Sequence, residues 1–103
     1  GGGEVVRAGS LLIDIPKMRA SVDGSDVELT SSEFDILLTL ARQPGRVSTR
    51  AQLLDALHGV SFESYERSVD AHIKNIRRKI ETDPKHPALV LTVYGVGSKF
   101  ADA

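Results

Sequence analysis

Arg67, Ala71, Lys74 and Arg78 recur at intervals of three or four in this 103-residue chain, so a helix through them would present all four on one face, flanked by Asn75 and Ser64. That combination suits base reading. The major groove of B-DNA admits an α-helix and offers guanine acceptors to Arg or Lys, and Asn can pair bidentately with adenine. A solvated helix surface uses the same residue types, so composition alone leaves both readings open. Asp70, His72, Arg77 and Lys79 fall on the shoulders of the helix. His72 carries no metal-site signal, because no second ligand follows it at i+3 or i+4, and its bland reading is a plain shoulder histidine. Asp70 either orients Arg67 or Lys74, or accepts from cytosine. Other chemistry finds little support. His58 and His86 sit beside turns, cysteine is absent, and Gly95-x-Gly97 lacks the third glycine and following helix of a phosphate loop. No enzyme activity, metal or cofactor is expected.

The elements needed to position that face are legible around it. Val69, Ile73, Ile76 and Ile80 fall within about 60° of one another at helical spacing, giving a third helix from near Tyr65 to Ile80 with a core-facing stripe, stopped by Asp83-Pro84. Thr30-Ser31-Ser32-Glu33 is a capping box opening a first helix, in which Phe34, Leu37, Leu38 and Ala41 form the apolar stripe and Gln43-Pro44-Gly45 the stop. Thr49-x-x-Gln52 is a second box, after a short strand at Val47, and Leu53, Leu54 and Leu57 give that helix its buried face before His58-Gly59 ends it. Before the helices, Glu4 to Arg7, Leu11 to Ile15, Met18 to Val22 and Val27 to Leu29 read as short antiparallel strands, with Asp23-Gly24 the best hairpin signal. After them, Leu89 to Tyr94 and Ser98 to Phe100 read as strands about a Gly95-Val96-Gly97 turn. The order is that of a winged helix-turn-helix in the α+β class: an N-terminal four-stranded antiparallel sheet, three helices and a C-terminal hairpin wing.

Composition bounds the rest. With 41% apolar and 26% charged residues, the chain reads as one globular domain over residues 4–103, preceded by Gly1-Gly2-Gly3 as linker or tag remnant. No apolar run approaches the roughly 18 residues of a membrane span, and the N-terminus lacks a signal-peptide pattern, so a cytoplasmic location is expected. A net charge of −1 argues at first against a nucleic-acid partner. Resolved along the chain it does not: residues 64–80 hold five basic and two acidic groups, against eight basic and twelve acidic elsewhere. If all five cations neutralise phosphates, log K against log[salt] should fall with a slope of at most about −4.5. A winged-helix module that binds protein instead of DNA is the alternative.

Four segments in register, Leu29 to Leu38, Pro44 to Leu54, Arg67 to Ile80 and Leu91 to Phe100, resemble the effector domain of OmpR/PhoB-type response regulators over nearly the whole chain. The resemblance implies transcription regulation in two-component phosphorelay signalling, as in bacteria: a sensor kinase phosphorylates an upstream receiver domain, and effector domains bind double-stranded DNA at tandem direct repeats beside a second copy. It implies base contacts from Lys74 and Asn75, to which the outward angle adds Arg78, and backbone contacts from Arg67, His72, Arg77 and Thr92. The wing is implied at Tyr94, Gly95, Gly97 and Lys99, and an RNA polymerase contact in the 58–64 loop, with Phe62 and Glu63 the candidates. Two positions depart from the pattern. Tyr94 stands where the family carries a wing arginine, and Ser98 where it carries a tyrosine on the side of Phe100.

Overall fold

The computed structural model describes residues 4–57 and 66–102, with the backbone alone for residues 66 and 67. Phe62 and Glu63 therefore lie outside the described residues, as does the side chain of Arg67. The described chain runs β1 (Val5–Ala8), β2 (Leu11–Asp14), β3 (Arg19–Val22), β4 (Ser25–Val27), α1 (Ser31–Ala41), β5 (Ser48–Thr49), α2 (Arg50–Asp55), α3 (Glu66–Ile80), β6 (Val90–Val93) and β7 (Gly97–Phe100).

The first four strands form an antiparallel sheet in chain order, with Leu11 paired to Val22 and Val22 in turn to Ser25. Asp23 and Gly24 both have positive φ, 50° and 84°, as a two-residue type I′ hairpin demands. So tight a turn lets Ser25 pair directly with Val22. The fourth strand is consequently Ser25–Val27 and not Val27 to Leu29, and residues 28–30 become the approach to the α1 cap. Met18 likewise leaves the third strand. Its φ of 50° and the bond from its N–H to Ile15 O at 3.0 Å close a loop between Asp14 and Arg19, and its side chain is exposed.

Both capping boxes are formed. Thr30 Oγ1 accepts from Glu33 N–H at 3.2 Å while Glu33 Oε1 accepts from Thr30 N–H at 3.0 Å, and Thr49 and Gln52 repeat the exchange at 3.1 and 2.9 Å. In α1 the buried face is broader than the expected stripe, taking in Ile36 and Leu40, with Leu38 half-buried. Leu53 alone is buried in α2, where Leu54 packs half-exposed against the core; the helix already ends at Asp55, so Leu57 packs on the core from beyond it.

The core joins the sheet's inner row, Ala8, Leu11, Ile13 and Ala20, to Phe34, Ile36, Leu37 and Leu40 of α1, the α3 stripe, and Val90 and Phe100 of the hairpin. Val69, Ile73, Ile76 and Ile80 are all buried, as the spacing of α3 requires. That helix ends at Ile80, before Asp83-Pro84, and Glu81 there turns inward. Its buried carboxylate accepts from the N–H groups of Ala88, Leu89 and Val90 at 2.8–3.1 Å, pinning the start of β6 to the end of α3.

The second sheet has the order β5-β7-β6, so the short strand before α2 clamps the wing hairpin to the helices. Gly97 is where that clamp closes, since a Cβ there would run into the backbone of Ser48 and Thr49. At the hairpin tip Val96 N–H bonds Val93 O at 3.0 Å, and Gly95 takes the positive φ, 78°, that a type II turn places on its third residue.

Candidate nucleic-acid interface

Burial of the α3 stripe fixes the rotation of the helix, and with it which side chains face out. Ala71, Lys74 and Arg78 are exposed, and Asn75 is half-exposed beside them. Lys74 and Arg78 make no ion pair with any described residue. The two shoulders are tied down instead, and the ties differ in kind.

On the shoulder toward α1, Lys79 Nζ donates to Glu33 Oε1 at 2.6 Å, an ion pair whose acid is buried and whose base is about one-third exposed. Burial by itself raises the Glu33 pKa. The Lys79 ammonium and the Thr30 N–H outweigh it, with a smaller contribution from nearby His72, and hold the carboxyl below its ordinary value. His72 is half-buried on this same shoulder.

On the other shoulder, Asp70 is engaged by α2. Arg50 donates from Nε to Oδ1 at 3.1 Å and from Nη2 to Oδ2 at 2.8 Å, a fork-to-fork pair between half-exposed side chains. Among the described residues, Asp70 is thus held by Arg50 and not by Lys74. A planar guanidinium from the next helix offers it two parallel bonds, which a flexible lysine one turn away cannot match. Two turns further along, Arg77 donates from Nε to Val90 O at 3.0 Å and from Nη2 to Thr92 Oγ1 at 2.6 Å.

Of the expected backbone contacts, then, Arg77 and Thr92 are brought together, and His72 stands on the opposite shoulder. Of the expected base contacts, Lys74, Asn75 and Arg78 share one face. Tyr94 and Val96 project at the wing tip, Tyr94 being 91% exposed, whereas Lys99 is half-buried opposite Leu91 and well behind the tip. A cleft of about 580 Å³ separates α3 from the wing, with Leu53, Val69 and Ile73 below, the Arg50–Asp70 pair at one end, and Arg77, Thr92 and Ser98 along the wing side. Arg50 was not among the residues that spacing suggested. Its position directly after the Thr49 cap was the available signal, since the first residue of a capped helix projects at the end of that helix.

Two successive helices, the second basic and tied by its shoulders to its neighbours, with a hairpin closing the sheet beside it, make this a winged helix-turn-helix domain. The family described as transcriptional regulatory protein, C terminal, matches residues 24–100, and the chain belongs to it. The DNA-binding response regulator MtrA of Mycolicibacterium smegmatis is 41% identical over 96 residues, which are 93% of this chain and 42% of that protein. The chain thus spans less than half the length of that curated relative. Among solved structures, the Thermotoga maritima response regulator DrrB, an OmpR/PhoB homologue, superposes with a TM-score of 0.82 at 37% identity, covering 94% of this chain and 44% of that one. The Klebsiella pneumoniae RstA DNA-binding domain, solved in complex with the RstA box, gives 0.81 at 34% identity over 95% of this chain and 97% of its own. Among the described residues no helix is long and apolar enough to cross a membrane.

Proposed function

We propose that this chain is the sequence-specific DNA-binding output domain of a two-component response regulator that controls transcription in the cytoplasm. The observation that carries the reading is the division of charge on α3. Lys79 is drawn onto Glu33 and Arg77 onto the wing, while Lys74 and Arg78 are left exposed beside Asn75 on the one face that nothing described covers. In this reading α3 enters the major groove with Lys74, Asn75 and Arg78 on base edges. Arg67 and His72 serve the backbone, as does the Arg77–Thr92 pair, and the Tyr94–Gly97 tip lies along the same duplex. The likeness to a domain solved on its DNA box and to full-length response regulators supports the extension to tandem direct repeats, a second copy on DNA, an upstream receiver domain under a sensor kinase, and an RNA polymerase contact through Phe62 and Glu63.

Selection of bound fragments from a random DNA pool tests the reading, followed by two variants on the selected site. Arg67→Ala is expected to weaken every sequence alike, whereas Asn75→Ala should relax preference at one base pair by about 1–3 kcal/mol. A domain that captures no fragment at low salt would leave the protein-binding alternative standing.

A further inference from the structure

Arg77 and Thr92 meet where the reading helix donates side-chain hydrogen bonds to the wing strand β6. Every guanidinium N–H is a donor, so the Thr92 hydroxyl must be the acceptor in the 2.6 Å contact. Its own hydrogen is thereby turned away from Arg77. A hydroxyl that accepts from a cation is also polarised into a better donor. Thr92 is exposed and lines the cleft between α3 and the wing, so its remaining donor is open to a ligand beside α3. Arg77 has little freedom of its own. It is half-buried, and its second bond, to the carbonyl of buried Val90, locks the guanidinium along alternate residues of β6.

We infer that Arg77 is a positioning residue and not a phosphate ligand: it holds the Thr92 hydroxyl so that its O–H donates to a single backbone phosphate, and in doing so sets the distance of the wing from the reading helix. The inference rests on the DNA-binding reading above and refines it. A lysine could supply the same charge. It could not supply two coplanar donors to Val90 O and Thr92 Oγ1 at once.

Phosphate-ethylation interference on a fragment selected by the wild-type domain separates the possibilities, with a thermal melt confirming that each variant folds. Thr92→Val is expected to lose interference at one phosphate and to bind about fivefold more weakly, the worth of one hydrogen bond, and Thr92→Ser to retain both. Arg77→Lys, which keeps the charge, should lose that same phosphate, and the double variant should bind no more weakly than either single one. The inference is overturned if Arg77→Lys or Thr92→Val keeps the wild-type interference pattern, if Arg77→Lys loses a phosphate that Thr92→Val retains, or if the two losses multiply. A wild-type domain that captures no fragment fails earlier, at the DNA reading itself.

Discussion

Glu33 caps one helix and holds the shoulder of another, and the two tasks make its charge matter to stability. Burial opposes ionisation, yet the Lys79 ammonium and the Thr30 N–H keep its pKa below the ordinary 4.5. The carboxylate is therefore favoured more in the folded chain than in the unfolded one. Its contribution is fully present above about pH 4.5 and is lost as the pH falls through the depressed folded value. Glu33→Gln preserves an acceptor for Thr30 but leaves Lys79 without its anion. It should cost roughly 1–3 kcal/mol at neutral pH, the range for a hydrogen bond to a charged group. Melting curves of both proteins from about pH 7 to about pH 3 should converge on the acid side; a gap that stays constant would show that the charge of Glu33 is not the source. The capping role of this residue was legible from Thr30 three positions away, but the ion pair was not. Lys79 lies 46 residues along the chain, and only the packing of α3 on α1 brings it near.

Among the elements, those specified by neighbouring residues follow the sequence closely, and those specified by distant ones do not. Both capping boxes, the Asp23-Gly24 turn and the α3 stripe rest on residues at most four apart in their pattern, and each forms as read. The Arg50–Asp70 fork and the Glu81 clamp on β6 depend on how elements meet in space, which no local period encodes. The wing shows the mixture. Its strands and glycines are local features, while the state of Ser98 is set by β5, which pairs Ser48 with it, and by Thr92 across the hairpin. Ser98 shares a face with buried Phe100 yet is only half-buried, and it lines the cleft over Leu53, Val69 and Ile73. A large ring in that cleft would cover apolar surface that a hydroxyl leaves wet. Ser98→Tyr should stabilise the domain by roughly 1–3 kcal/mol, seen as a melting-temperature rise of several degrees for a chain of this size. An unchanged or lower melting temperature would mean that the cleft cannot accept the ring without moving the wing from α3.

Over the whole molecule, a net charge of −1 conceals a dipole: residues 64–80 carry a net +3 and the remainder −4. Such a distribution favours approach to a polyanion with α3 leading and penalises every other face. The structure also reduces the number of cations that can act there. Lys79 is committed to Glu33, Arg77 to Val90 and Thr92, and Arg50 to Asp70. In the proposed binding mode that leaves Lys74 and Arg78, whose charges would lie in the groove between its flanking phosphates while they reach base edges, and the Arg67 position as sources of released counterions on α3. The salt dependence of binding should accordingly have a slope near −2.7 from this helix, about 0.9 for each phosphate neutralised, and not the −4.5 or so that counting all five charges gives. Titrating a selected DNA fragment between about 50 and 200 mM salt measures it. Lys74→Ala should lower the slope by about one unit, and Lys79→Met should leave it unchanged while lowering the melting temperature. A wild-type slope close to −4.5, reduced equally by either substitution, would mean that Lys79 abandons Glu33 for the phosphates when DNA binds. The buried carboxylate would then be stranded in the complex, and affinity would depend on pH through Glu33.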